Sequence, residues 1–195
     1  VTNHYRSEQV IKQIFSELFA KLPRNLTYHS LSHTCMVMRD AQFLAHKLNI
    51  NDHDLELMRV AISFHDYGFI WSPENHEERG CLEAKIILPR VGFSEDEITT
   101  ICGMIMATKI PQSPKTLLEQ IVCDADLFYL GTAYYFQISK LFEAELTHLG
   151  ILKNNAQWLQ IQTRFLENHN YHTEIAKNLL NDQKQQILSI LKSAN

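Results

Sequence analysis

Phe64-His65-Asp66-Tyr67-Gly68 closes an apolar run that begins at Leu55, and its reading decides the fold. Leu55, Leu57, Met58, Val60, Ala61, Ile62 and Phe64 make that run a largely buried helix, with Asp52 placed to cap it. A histidine and an aspartate at the buried end of a helix both need partners, and a divalent metal would satisfy the two together. Neighbouring side chains on an α-helix diverge by about 100°, so one ion reaches both only where the helix is ending. Gly68 offers such an ending, because glycine tolerates the left-handed conformation that closes a helix. A surface His-Asp dipeptide would read the same, so the metal reading depends on ligands elsewhere.

Outward from this stretch, apolar residues recur at three- and four-residue spacing almost throughout, with no convincing period-2 strand. The fold expected is all-α. A first helix follows Ser7, with Val10, Ile11, Ile14, Phe15, Leu18 and Phe19 inward, and stops before Pro23. A second runs from about Ser32 to Leu48, with Phe43 among its apolar residues. After the central helix, another begins near His76. Ser94-Glu95-Asp96-Glu97 reads as a capping box for the next, which ends near Thr108-Lys109. Ser113-Pro114 opens a helix with proline at its first position, running into Cys123-Asp124-Ala125-Asp126. Three more follow from about Thr132, Asn154 and Thr173. With no internal repeat or flexible linker, residues 1–195 read as a single domain, a core of about 25–131 with a C-terminal helical extension of 132–195.

Composition narrows the function classes. With 45% apolar and 21% charged residues, 195 residues can bury a real core. A net charge of −4 offers no electrostatic case for a nucleic-acid polymer as partner, yet leaves room for a nucleotide-sized ligand in a locally positive pocket. Cys35, Cys81, Cys102 and Cys123 form no CxxC pair and sit in apolar helical patterns, as buried reduced thiols in a cytoplasmic setting would. No apolar run approaches the roughly 18 residues that span a bilayer, and Val1-Thr2-Asn3-His4-Tyr5-Arg6 lacks a signal-peptide core. Oligomerisation stays open.

Four candidate ligands lie near the ends of three separate helices: His33, His65, Asp66 and Asp126. Two imidazoles and two carboxylates suit one divalent ion of Mn, Fe, Ni, Co, Zn or Mg. Such an ion would acidify a bound water and polarise a phosphorus centre.

Tyr28-His29-x-x-x-His33, His65-Asp66, Asn75-His76-Glu77-Glu78-x-Gly80, and Asp124-Ala125-Asp126-Leu127 followed by Leu130-Gly131, in that order on a helical chain, resemble the HD superfamily of metal-dependent phosphohydrolases. Within it, the chain is similar to a predicted phosphohydrolase branch. The resemblance implies hydrolysis of a small-molecule phosphate ester, a nucleotide or cyclic nucleotide, by metal-activated water. It assigns the metal to His33, His65, Asp66 and Asp126. Asp126 is chosen over Asp124 because the superfamily's last aspartate directly precedes an apolar turn. Asp124 then either orients a ligand histidine or caps a helix.

His29 resembles the histidine that protonates the leaving oxygen in cyclic-nucleotide phosphodiesterases, a role suited to an imidazole, though capping or solvent exposure would also account for it. His76 resembles a family histidine that touches substrate phosphate or a second metal. Two-metal members carry another histidine where this chain has Thr108 and Lys109. A lysine there would repel a second cation and attract phosphate, so one metal is expected, with Lys109 and His76 on phosphate oxygens. Lys109 reads equally as an exposed cation at a helix C-terminus. Glu77 is a further substrate-side candidate, although first-turn acids need no such role. His169 and His172 could rim the pocket from the extension or serve as loop and capping groups. Phe69, Trp71, Tyr129 and Tyr134 could stack a base, but aromatics at helical spacing are more often core. Two other classes compete. A non-catalytic nucleotide-binding module would lack ligands that are all present here, and a di-iron oxygenase would want the histidine missing near Thr108.

Overall fold

The computed structural model describes residues 2–194, and among them every regular element is helical: α1 (Thr2–Lys21), α2 (Leu31–Lys47), α3 (Asp52–Phe64), α4 (His76–Ile87), α5 (Glu95–Ala107), α6 (Leu117–Asp126), α7 (Tyr135–His148), α8 (Asn155–Asn168) and α9 (Glu174–Ser193). Short 3-10 turns follow α3, α4 and α6 at Tyr67–Ile70, Leu88–Val91 and Phe128–Gly131. The all-α expectation is met.

Caps explain most boundaries. Ser30, Asn51, Ser94, Thr116, Asn154 and Thr173 each accept a backbone N–H of the first turn with their side chains. The capping box at Ser94 and Glu97 forms as expected. Three expectations shift. α1 starts upstream of Ser7. Asn51, not Asp52, caps α3. A capping box between Thr116 and Glu119 starts α6, leaving Pro114 outside the helix.

The larger core joins α1 through α6 with Tyr171, Ala176 and Leu180 around α9's start, and Ile14, Leu44, Met58, Ile62, Phe64, Ile101, Met104 and Ile105 are fully buried. Each such side chain contributes about 1.5–3 kcal/mol of transfer free energy. Phe19, expected inward, is 81% exposed, and Phe43 also faces solvent. Both lie at the edge of an apolar stripe that is already filled. A second cluster gathers Leu127, Leu130, Tyr135, Leu166, Ile187, Leu188 and Leu191. Cys81, Cys102 and Cys123 are buried thiols as expected, whereas Cys35 is exposed.

Gly68 corrects the reading of its own stretch. It does not adopt a positive φ, unlike Gly92 and Gly150. Its missing side chain is needed because a β-carbon would collide with the backbone of His76, and one on Gly80 would collide with the carbonyl of Phe64. These two glycines let α4 close over the end of α3, and that closure brings His76 to Asp66.

Candidate metal centre

α3 ends where the ligand argument requires. Phe64 is its last residue, His65 still has helical angles, and Asp66 (φ −103°, ψ 4°) has left the helix. The two side chains turn to one side: His65 Nε2 lies 3.3 Å from Asp66 Oδ2. α2 brings His33, whose Nε2 is 3.5 Å from Asp66 Oδ2 and 3.0 Å from Asp126 Oδ1 at the end of α6. Asp126 Oδ1 is also 3.7 Å from His65 Nε2. Donor atoms of His33, His65 and Asp66 all lie within 4.8 Å of one another, and all three residues are buried. The four side chains expected together are together.

Their electrostatics suit a cation. His65 Nδ1 donates to the Ile62 carbonyl at 2.7 Å, which leaves the Nε2 lone pair facing a carboxylate. His65 Nε2 and Asp66 Oδ2 are buried without a hydrogen-bond partner, a costly arrangement for two polar atoms unless something positive lies between them. Burial pushes the Asp66 carboxyl up, but His65, His29, His33 and His76 together hold it down at about 2. Burial likewise disfavours a charged His33, yet Asp126 and Asp66 outweigh it and raise its pKa. Two imidazoles and two carboxylates around orphaned atoms fit a divalent ion of the borderline-hard kind.

A cavity of about 150 Å³ opens beside Asp66 and Asp126. His29, His76 and Glu77 line it. His76 donates from Nδ1 to Pro73 O at 2.9 Å, and its Nε2 sits 3.6 Å from Asp66 Oδ1 and 3.3 Å from Glu77 Oε1. Phe69 is wedged between the His29 and His76 rings, 4.1 Å from each centroid. Phe69 therefore orders the two histidines.

Lys109 does not join them. Thr108 and Ile110 line the cavity, but Lys109 between them does not. Its ammonium pairs with Glu78 and lies 3.3 Å from Asn75 Oδ1, with 40% of the side chain exposed. Pairing with Glu78 raises its pKa. The structure thus sets Lys109 off the cavity that the expectation gave it, with an acid at the start of α4 as its partner.

Asp124 proves to be a cap. Its buried carboxylate accepts His172 N at 2.7 Å, Thr173 N at 2.8 Å and Thr173 Oγ1 at 2.7 Å, tying α6 to the start of α9. His169 and His172 line a neighbouring cavity with Gln112, not the one beside Asp66. Burial, with Lys184 close by, pushes His169 down to about 3.

Sequence reasoning missed Glu145. This α7 carboxylate, 1% exposed, accepts Tyr28 N at 2.8 Å, His29 N at 3.0 Å and the His29 Nδ1 proton. Burial raises its pKa, but the contacts with His29 prevail and lower it. The signal was there: Glu145 falls three residues after Phe142 on α7's inward face, an acid where an apolar residue was due. Also missed was the far wall of the cavity, built by Tyr135, Phe142, Trp158, Ile161, Gln162 and Phe165 of α7 and α8.

Residues 30–129 match the HD domain family, and this span covers His33, His65, Asp66, His76 and Asp126. The chain belongs to the HD domain family. A predicted HD superfamily hydrolase from an uncultured Thermotogales bacterium aligns with a TM-score of 0.63 and 19% identity, over 93% of this chain and 89% of the other. Bacillus subtilis YpgQ in complex with ADP aligns at 0.67 and 17% identity, over 100% and 95%. A Lactobacillus plantarum protein aligns at 0.67 and 19%, over 96% and 97%. At such identities these structures share the fold. No curated protein matches. Family membership and the buried donor cluster together support a metal-dependent hydrolase. Among the described residues, no helix is long and apolar enough to cross a membrane.

Proposed function

We propose that the protein is a metal-dependent phosphohydrolase that cleaves a phosphate ester of a small molecule, with nucleotides and cyclic nucleotides as the class to test first. The observation that carries this reading is the pair of orphaned buried atoms, His65 Nε2 and Asp66 Oδ2, facing each other inside a ring completed by His33 and Asp126. In this reading those four residues hold one divalent ion, which supplies a water of lowered pKa and neutralises phosphate charge. The ADP complex of YpgQ supports a nucleotide-sized ligand for this fold.

The chain's own groups supply the rest. The Ile62 carbonyl fixes the His65 tautomer so that Nε2 faces the ligand cluster. Glu145 accepts a hydrogen bond from Nδ1–H of His29, which holds the ring and favours its doubly protonated form; that form gives its Nε2 proton to the departing oxygen and keeps the one on Nδ1. His76 and Glu77 border the phosphate position, with Phe69 keeping the two imidazoles apart. Lys109 has no part in this reading.

Elemental analysis of the purified protein, followed by hydrolysis assays with Mn, Fe, Ni, Co, Zn and Mg after chelation, tests it. One equivalent of bound metal and phosphate release that chelation abolishes are expected. Full activity in the stripped protein would rule the reading out. The alternative of a non-catalytic nucleotide-binding module predicts ADP binding unaffected by chelation and no phosphate release.

A further inference from the structure

The walls of the cavity carry information about the ligand that the metal centre does not. The cavity lined by Asp66 and Asp126 is lined as well by Tyr135, Phe142, Trp158 and Phe165, and by Tyr28 and Tyr129. Polar contacts hold parts of this wall still. Tyr135 Oη donates to Gln162 Oε1 at 2.8 Å, linking α7 to α8, and Phe142 meets Trp158 edge to face with centroids 5.8 Å apart. The rings are therefore a formed surface. The cavity holds about 150 Å³, and a cavity of roughly that volume lined by apolar side chains takes up benzene in another protein.

Charge points the same way. Among the residues lining the cavity there is no lysine or arginine, and the groups able to carry positive charge are His29 and His76. Asp66, Glu77 and Asp126 contribute three carboxylates. A single divalent ion leaves one of the three carboxylates unbalanced, and His29 and His76 are the remaining groups that could offset it, so each phosphate beyond the first would meet too few cations in an acidic cavity, which is costly in a low-dielectric site. Lys109 brings no relief, because Glu78 already holds its ammonium.

We infer that the ligand carries one phosphate group and seats an aromatic ring, or an apolar group of that size, against Phe142, Trp158 and Phe165, and that nucleoside di- and triphosphates are poor ligands. This rests on the hydrolase reading above and narrows it.

The test compares phenyl phosphate, AMP, glycerol phosphate, ADP and ATP as substrates of the metal-loaded full chain. Phenylphosphonate, which is not hydrolysed, serves as a binding probe by calorimetry. Expected are kcat/KM values for phenyl phosphate and AMP at least roughly tenfold above those for glycerol phosphate, ADP and ATP, the scale that one pocket group can supply. The ratio of phenyl phosphate to glycerol phosphate kcat/KM should fall roughly tenfold in Trp158→Ala, mainly through KM. Ile161→Ala, at a less buried wall position, should shift it in the same direction if Trp158→Ala does not fold. ADP or ATP cleaved as well as phenyl phosphate, with metal bound, would overturn this inference and leave the hydrolase reading standing. Metal bound with no ester cleaved would overturn the hydrolase reading, and phenylphosphonate binding weaker than ADP binding would then overturn this inference separately.

Discussion

The chain from α1 to α6 and the chain from α7 to α9 contribute to the site in different ways. The first part supplies the donor atoms that converge: His33, His65, Asp66 and Asp126 stand at the ends or starts of α2, α3 and α6. The second part supplies what surrounds it, namely the Glu145 carboxylate behind His29 and the aromatic wall of Phe142, Trp158 and Phe165. Ligands demand a few residue types at fixed places, whereas walls demand only bulk and low polarity. On the proposed reading, one part fixes a chemistry and the other selects what the chemistry acts upon.

The largest expected effect tests the first half of that contrast. Asp66→Ala removes the carboxylate that faces both histidines and should abolish metal content and turnover together, reducing the rate to background. Metal analysis and phosphate release measured on the same sample check it. A metal-free but fully active Asp66→Ala protein would show that the ligand half is not where the chemistry lies.

Glu145→Gln probes whether the second half also reaches the chemistry. The amide keeps the shape but loses the charge opposite His29 Nδ1, and should lower kcat by roughly 10–100-fold while leaving bound metal unchanged. Unchanged kcat with metal retained would confine Glu145 to tethering the Tyr28-His29 turn.

The same contrast explains what could be read in the sequence. His-Asp at a helix end, a histidine at α2's first turn and an aspartate at α6's last turn were visible because burying such groups requires a reason. Helix starts were legible where capping chemistry was strong, as at Ser94, and misplaced where two candidates competed, as at Pro114 against Thr116. The pairing of Lys109 was not legible because its partner, Glu78, lies 31 positions earlier and is brought to it only by tertiary packing. Gly68 was assigned to the right turn for the wrong reason, since a close backbone approach leaves no trace in local sequence. The aromatic wall was not legible at all: Trp158 and Phe165 look like any inward apolar residues until the fold gives them a cavity shared with Asp126.

Asp124 joins the two halves, and its removal should separate stability from chemistry. Asp124→Ala leaves His172 N, Thr173 N and Thr173 Oγ1 without their acceptor at the start of α9. A cost of about 2–3 kcal/mol is expected, read as a lowered denaturant midpoint, with metal content retained in the folded protein. Loss of metal at full stability would place Asp124 among the ligands and Asp126 outside them.

The smallest effect concerns how the ligand half is anchored. Tyr67, next to Asp66, donates to Glu17 Oε2 at 2.6 Å, and Lys21 Nζ lies 2.7 Å from the same oxygen. Lys21 first and Tyr67 second lower the Glu17 pKa from 4.5 to about 2. A carboxyl whose folded-state pKa is depressed adds stability that is complete above its unfolded value and disappears as pH falls through its folded value. The wild type should therefore lose more stability than Glu17→Gln between pH 4.5 and pH 2. Solvent screening of a partly exposed pair keeps the difference under about 1 kcal/mol. Urea unfolding of both proteins across that interval measures it, and parallel profiles would mean that the α1 contact does not anchor the turn through charge.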